Sequence, residues 1–103
     1  MNPFDLLKNS QAIKEQLEKT KDEIMSLTAT GSSGGRMVNI KINGKFELQE
    51  ITLDPICVDN RDVKMLEDLI IAAHNNAMQN IQEKIKEKSA SLLGGLNLGN
   101  FGL

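Results

Sequence analysis

The first 27 residues carry a heptad repeat, and this repeat constrains the fold more than any other feature of the sequence. Its members recur at spacings of four and three along one predicted helix: Leu6, Ser10, Ile13, Leu17, Thr20, Ile24 and Leu27. The residues between them are largely charged, as in KEQLEKTKDE, which is typical of a solvated face. A narrow apolar stripe on a charged helix packs on another helix better than on a broad sheet. We therefore expect a helical partner, from the same chain or from a second copy.

A second helix is predicted at about residues 62–92, around the segment MLEDLIIAAHNNAMQNIQEKI. One face of this helix is apolar and is expected to cover strands: Leu66, Leu69, Ile70, Ala73, Ala77 and Ile81. A second stripe follows heptad spacing: His74, Met78, Ile81, Ile85, Lys88 and Leu92. The first half of the helix is thus expected to cover a sheet. The second half is expected to pair with a seam like that of the N-terminal helix.

Both helices have recognisable starts. Asn2 can cap the first helix and Pro3 can occupy its first position, where a missing N–H costs nothing. Asp59 or Asp62 can cap the second helix. The first helix is predicted at about residues 3–28, where its heptad repeat ends.

The middle of the chain predicts a hairpin. Residues 36–42, RMVNIKI, alternate apolar and polar side chains, Asn43-Gly44 is a turn signal, and residues 45–53 form the next strand. In that strand, the alternation of apolar residues is interrupted at Gln49-Glu50. A β-bulge there would place the apolar residues before and after it on the same face of the sheet. Matching the apolar faces places Ile42 opposite Phe46, which requires a three-residue or bulged turn.

The segment TATGSSGGR, between the first helix and the hairpin, has two structural interpretations. It is a flexible connection, which gives an α-β-β-α order, or residues 26–33 form an additional edge strand, which gives α-β-β-β-α. A phosphate-binding loop is disfavoured, because such a loop follows a strand, precedes a helix and usually carries a lysine that is missing here. In either case one helix leaves part of the small sheet uncovered, which favours a homodimer.

Cysteine content and hydropathy indicate the compartment. Cys57 is the single cysteine, so a disulfide framework is excluded and a reducing compartment is expected. The start MNPFDLLKNSQ does not resemble a signal peptide, and no apolar run approaches the roughly 18 residues of a membrane span. We expect a cytoplasmic protein with no membrane partner.

Catalytic chemistry is not expected. His74 is the single histidine. One His and one Cys, without HExxH or CxxC spacing, fall short of a metal site, and the sequence does not place Cys57 beside His74 as a nucleophile–base pair requires. We therefore predict no enzyme activity, no cofactor, no metal and no small-molecule substrate. For His74, packing or an interface contact is preferred to a pH-sensitive contact, and both are preferred to catalysis. Asn75 is expected to point away from the sheet, and Cys57 to be an inert structural thiol.

The segment MLEDLIIAAHNNA resembles the signature of the YbaB/EbfC nucleoid-associated proteins, usually M-L-E-D-L-[IV]-x-A-A-x-N-[DE]-A. GSSGGRMVNIKINGKFELQEITLDP is similar to the glycine-rich segment, strands and D-P ending of that family. NPFDLLKNSQAIKEQLEK and GGLNLGNF resemble its helical start and glycine-rich end, so the similarity covers essentially the whole chain. The departures are Asn76, where an acidic residue is usual, and Gly99, where proline is frequent.

This resemblance implies an α+β fold with an α-β(3)-α subunit, a small antiparallel sheet and a tweezer-like homodimer with projecting helices. A single domain is expected over residues 1–93, with strands at about 29–54, followed by a flexible glycine-rich tail at 94–103. The family also implies a small bacterial protein of the cytoplasm and nucleoid. Such a protein binds duplex DNA, changes its conformation and influences gene expression.

Charge distribution suggests where DNA would bind. Residues 1–46 hold seven basic and five acidic side chains, residues 47–68 two and seven, and residues 69–103 three and two. Phosphates are contacted mainly by Lys and Arg. The candidate contacts lie on the two helices: Lys8, Lys14, Lys19, Lys21, Lys84, Lys86 and Lys88. The last three form the densest group, and weak base readout is expected.

A different set of residues is expected to pack the body of the dimer: Leu66, Leu69, Ala73, His74, Ala77, Met78 and Ile81. The rival interpretation is a protein-binding adaptor, whose helical arms or open sheet edges dock another protein. The formal net charge of −2 favours this rival, since it argues against strong binding of a polyanion.

Overall fold

The computed structural model describes the backbone of residues 3–94 and the side chains of residues 10–91. Along this part of the chain, the elements follow in the order α1 (Pro3–Met25), β1 (Thr28–Ser33), β2 (Val38–Asn43), β3 (Leu48–Leu53), a 3₁₀ turn (Pro55–Cys57) and α2 (Val63–Gly94). The strands form one antiparallel sheet with β2 in the centre. The predicted α-β(3)-α fold is confirmed, including the strand that the residue pattern had left open. The predicted cap Asn2 and residues 95–103 of the predicted tail lie outside the described range. Gly94, predicted as the first residue of that tail, is instead the last residue of α2.

Helix α1 ends at Met25, earlier than the predicted residue 28, because the β2–β3 turn approaches its C-terminal end. The Gly44 N–H donates to the Leu27 carbonyl at 2.9 Å, which draws the chain into β1. A side chain on Gly44 would overlap the carbonyl oxygen of Ile24. The end of this helix is therefore set by a contact with residues far along the chain.

The core lies between β1, β2 and the first half of α2. Val38, Ile40 and Ile42 point from β2 towards the helix and are at most 1% exposed, as are Ala73, Ala77 and Ile81. Gly31 lies at the crossing, where a Cβ would fall on the backbone nitrogen of Ala77 and 2.5 Å from the carbonyl oxygen of Ala73. Two alanines opposite a glycine let helix and strand approach closely, so the core is thin and tightly packed.

Cys57 is fully buried next to this core. Its thiol donates to the Asp54 carbonyl at 3.0 Å, and the Asp54 carboxylate accepts from the Ile56 N–H at 3.0 Å. The Asp54 carboxylate therefore caps the 3₁₀ turn in which Cys57 lies. A thiol that is buried and bonded in this way serves packing.

The register of the hairpin differs from the predicted one. Ile42 pairs with Leu48, so the prediction that Ile42 lies opposite Phe46 is wrong. The Asn43 N–H donates to the Glu47 carbonyl at 3.1 Å, which leaves residues 44–46 as a three-residue loop. Phe46 closes this loop with a φ of 63° and is half exposed. The residue that the apolar pattern assigned to the sheet therefore belongs to the turn.

The side chain of Asn43 explains the loop. Its Oδ1 accepts from the N–H groups of Lys45 and Glu47 at 2.9 and 3.0 Å, an arrangement that competes with continued pairing. The bulge was predicted correctly: Lys41 pairs with Glu50, and Gln49 has no opposite residue. The bulge returns Leu48 to the face that carries Ile51.

Two apolar surfaces stay open in the single subunit. Leu48 and Ile51 stand on the same side of the sheet as α2, but the helix lies over β1 and β2, and these β3 side chains are 47% and 43% exposed. On α1, Ile13 and Leu17 of the heptad stripe are 57% and 55% exposed. At the middle of α1, the heptad stripe is therefore not packed against α2 of the same chain.

Candidate nucleic-acid interface

Helix α1 presents its lysines to solvent. Lys14, Lys19 and Lys21 are exposed, and within residues 10–91 none of them takes part in an ion pair. Lys14 and Lys21 lie seven residues apart, close to two helical turns, so they share one side of α1. Lys8 belongs to α1 as well, but its side chain is outside the described range. This side of α1 therefore presents two lysines without an ion pair among the described residues, with Glu18 between them.

The three lysines of α2 do not form one cluster. Successive residues of a helix are about 100° apart, so Lys84 and Lys88 lie on one side and Lys86 on the other. Lys84 Nζ donates to the Thr28 carbonyl at 2.6 Å, and Lys88 Nζ lies 3.7 Å from Glu23 Oε2 on α1. Two lysines of the densest basic run are therefore already engaged within the subunit. Lys86 is exposed and has no ion pair in the part of α2 that is described.

The contact of Lys84 belongs to a polar row that closes the outer edge of β1. Asn76 Oδ1 accepts from the Ser32 N–H at 3.0 Å, Asn80 Nδ2 donates to the Thr30 carbonyl at 2.8 Å, and Lys84 continues to Thr28. These three α2 residues are spaced by four, which places them on one side of the helix. Unpaired strand edges invite association, and side-chain cover removes that risk. The sequence analysis did not identify this row. The spacing of four residues between polar side chains beside the apolar face of α2 could have indicated it.

Replacing Asn80 with alanine is expected to lower the free energy of unfolding by about 1 kcal/mol, because the Thr30 carbonyl loses its protein partner. Urea denaturation followed by circular dichroism measures this. Asn75→Ala is the matched control, since Asn75 is exposed on the same helix and its replacement should change stability by less than about 0.5 kcal/mol. Equal losses in both variants would mean that the edge contact contributes nothing.

The residues predicted to pack the dimer body also build the subunit core. Ala73, Ala77 and Ile81 are buried in it, and Leu66, Leu69 and Met78 pack against it. His74 is half-buried next to these residues. Asn75 is exposed, in agreement with the expectation that it points away from the sheet. The signature residues at the start of α2 therefore serve largely to pack the core of the subunit.

The acidic segment before α2 holds the second arginine. The Arg61 guanidinium donates to Asp59 from Nε at 3.0 Å and from Nη2 at 2.9 Å. This side-chain contact, with the Arg61 backbone N–H, holds the pKa of the Asp59 carboxyl below its usual value. Arg61 is thus already paired with a carboxylate.

Among the described residues, no group of three or more His, Cys, Asp or Glu side chains converges on a point that could hold a metal ion. Neither helix, over its described length, combines the length and hydropathy needed to cross a membrane.

Comparison with known proteins assigns the family. The profile of the YbaB/EbfC DNA-binding family matches residues 1–96. A nucleoid-associated protein of Caldanaerobacter subterraneus subsp. tengcongensis is 40% identical over 97 residues, which cover 94% of this chain and 87% of that protein. A nucleoid-associated protein of Acidobacterium capsulatum is 43% identical over 103 residues, covering 95% of each chain.

A solved structure shares the fold at low sequence identity. It is the crystal structure of the uncharacterized protein HP0035 from Helicobacter pylori, with a TM-score of 0.68 and 20% identity, covering 90% of this chain and 98% of that one. The α-β(3)-α order, the signature at the start of α2 and the profile match over nearly the whole chain agree. The chain belongs to the YbaB/EbfC DNA-binding family.

Proposed function

We propose that the protein is a nucleoid-associated homodimer that binds duplex DNA mainly through phosphate contacts. In this role it alters the conformation of DNA and influences nucleoid organisation and gene expression, in the cytoplasm at the nucleoid. The observation that carries the proposal is the set of exposed α1 lysines, Lys14, Lys19 and Lys21, on a helix that is solvated on all sides over residues 10–19. Membership of a DNA-binding family and the names of the relatives support the same conclusion.

The net charge of −2 does not oppose this proposal, because the acidic residues are concentrated in the middle of the chain. Seven of the 14 acidic side chains lie within residues 47–68, which form β3, the 3₁₀ turn and the start of α2. The lysines lie on α1 and on the second half of α2. Phosphate recognition depends on local charge. Helix α1 carries four lysines and five acidic residues, so its contacts with DNA would be made by individual exposed lysines and not by a uniformly basic helix.

Open apolar surface supports the homodimer. Leu48 and Ile51 on β3 and Ile13 and Leu17 on α1 are all more than 40% exposed, and a second copy would cover both surfaces. The outer edge of β1 is closed by α2, whereas β3 keeps an open edge. In a dimer, each phosphate-binding lysine would occur twice.

A salt titration tests the proposal. Fluorescence anisotropy with a labelled duplex, from 50 to 200 mM salt, should give a log–log slope of about −0.9 for each phosphate contacted. Random and genomic duplexes should bind with similar affinity, since the exposed basic residues of α1 are lysines, which lack the rigid fork of N–H donors that arginine has. Affinity that stays constant across this range would rule out the phosphate mechanism.

Replacing His74 with glutamine is expected to leave duplex affinity within about twofold of the wild type. His74 is half-buried beside the core, and the proposed contacts lie on other helical turns. Glutamine keeps hydrogen-bonding capacity at the site. Anisotropy measures the affinity, and size-exclusion chromatography reports the oligomeric state. Complete loss of DNA binding by an intact dimer would contradict this assignment of His74.

The open edge of β3 favours a second candidate, a non-enzymatic adaptor that docks another protein by strand addition. The two functions differ in a simple observation. An adaptor would bind no duplex at any salt concentration and would co-purify with a stoichiometric protein partner.

A further inference from the structure

A polar cleft of about 350 Å³ lies where the outer edge of β1 meets α2 and the β1–β2 turn. Its volume is at the lower end of the range of small-molecule sites. Six of its lining residues carry polar side chains: Thr30, Ser32, Arg36, Asn39, Asn76 and Asn80. Arg36 is the one charged residue among those that line it, so the cleft has a positive charge and no carboxylate of its own.

Asn76 presents a hydrogen-bond donor at this cleft. Its Oδ1 already accepts from the Ser32 N–H at 3.0 Å, so the orientation of the amide is determined. The amide nitrogen has no protein partner among the described residues. The hydroxyls of Thr30 and Ser32, which also line the cleft, can donate as well.

Arg36 is held at the cleft by an unusual turn. Gly34, Gly35 and Arg36 have φ angles of 58°, 64° and 71°, so three successive residues are left-handed. The Asn39 side chain donates to the Arg36 carbonyl at 2.9 Å and fixes the turn. Glycine would adopt this conformation with less strain than arginine. The guanidinium makes no ion pair or hydrogen bond within the described residues, so its charge is available to a ligand.

We propose that this cleft binds a phosphate group. Arg36 supplies the positive charge and a fork of N–H donors, which matches two phosphate oxygens. The Asn76 amide and the two hydroxyls supply neutral donors to the remaining oxygens. The site lies at the sheet edge and uses none of the seven lysines assigned to duplex binding. It therefore goes beyond the proposed function, and its variants can be tested separately from those of the lysines.

Two substitutions and one matched control test the site with inorganic phosphate and adenosine 5′-monophosphate as probes. In NMR titrations of the wild-type protein, the Arg36 Nε–H and the Asn76 side-chain amide should shift. Arg36→Gln should weaken phosphate binding about tenfold, because a charge-assisted pair is lost. Asn76→Asp keeps an oxygen for the Ser32 N–H but replaces the donor with a negative oxygen, so it should weaken binding at least as much. Arg61→Gln makes the same charge change at an arginine already paired with Asp59 and should bind as the wild type does.

Duplex DNA is the second arm and identifies the source of the phosphate. Free phosphate or nucleotide that shifts these signals, with the loss in both variants, supports a small-molecule site even if no duplex binds. Absence of those shifts, with duplex affinity lowered by Arg36→Gln and Asn76→Asp but not by Arg61→Gln, supports a backbone phosphate. Unchanged binding of all probes in both variants overturns the proposal. Equal losses in Arg36→Gln and Arg61→Gln overturn it too, since they would reflect only net charge.

Discussion

Gly31→Val is expected to destabilise the subunit by on the order of 3 kcal/mol or more, because the substitution forces α2 away from the sheet. A Cβ at position 31 would collide with the backbone of Ala73 and Ala77, and a helix backbone cannot yield as a side-chain tip does. Separation of the two layers would also open the contacts of Val38, Ile40 and Ile42. Thermal melting followed by circular dichroism should show a much lower melting temperature, or no cooperative transition.

Gly35→Ala is the matched control for this substitution. A Cβ at Gly35 meets nothing within 4 Å, while its φ of 64° is left-handed. Its cost should therefore be the conformational one alone, about 1 kcal/mol. A Gly31→Val protein that melts within a few degrees of Gly35→Ala would show that helix and strand are not in the close contact described.

Reversing two α1 charges, Lys14→Glu with Lys21→Glu, is expected to lower duplex affinity about four-thousandfold near 0.1 M salt. Each phosphate contact contributes close to one logarithmic unit of affinity at that concentration, and two contacts are lost in each subunit. Both lysines are exposed, so the melting temperature should hardly change. Anisotropy titrations should also show a salt slope that is shallower by about 3.6, because the dimer loses four contacts.

The control for α1 is Lys45→Glu with Lys64→Glu, which changes the net charge equally. Lys45 lies in the β2–β3 loop, and Lys64 pairs with Asp68 at the start of α2; neither is among the seven lysines assigned to duplex binding. A comparable loss in this control would assign the effect to net charge. On α2, Lys86→Glu is the cleanest test, because reversal of Lys84 would also disturb the bond to Thr28 at the β1 edge.

Local patterns predicted most of the secondary structure. The start of α2, the alternation in β2 and the bulge at Gln49 follow from spacing and turn chemistry, which act over a few residues. The position of Phe46 was predicted wrongly because its apolar character suggested a strand. Instead, the Asn43 side chain stabilises a loop at this point by accepting hydrogen bonds from the N–H groups of Lys45 and Glu47. The end of α1 was misplaced because it depends on Gly44.

The lysines show the same limit. The sequence placed Lys84, Lys86 and Lys88 together, but helical geometry divides them between two sides, and two of them contact Thr28 and Glu23. Those partners lie more than 50 residues earlier in the chain. A lysine is engaged within the subunit only when the fold places an acceptor next to it. The spacing of lysines along one helix gives no information about such acceptors.

By itself, the sequence determined the family, the two helices with the β2–β3 hairpin between them, and the apolar face of α2, because these depend on short-range periodicity and on a contiguous signature. The residue pattern left open whether residues 26–33 form a strand. Only the tertiary structure decided that α2 closes the β1 edge through Asn76, Asn80 and Lys84, and that Arg36 and Asn76 line one cleft. The physical reason is that hydrogen bonds between a strand edge and a helix join groups 44 to 56 residues apart. Such groups become neighbours only once the glycine–alanine contact brings helix and sheet together.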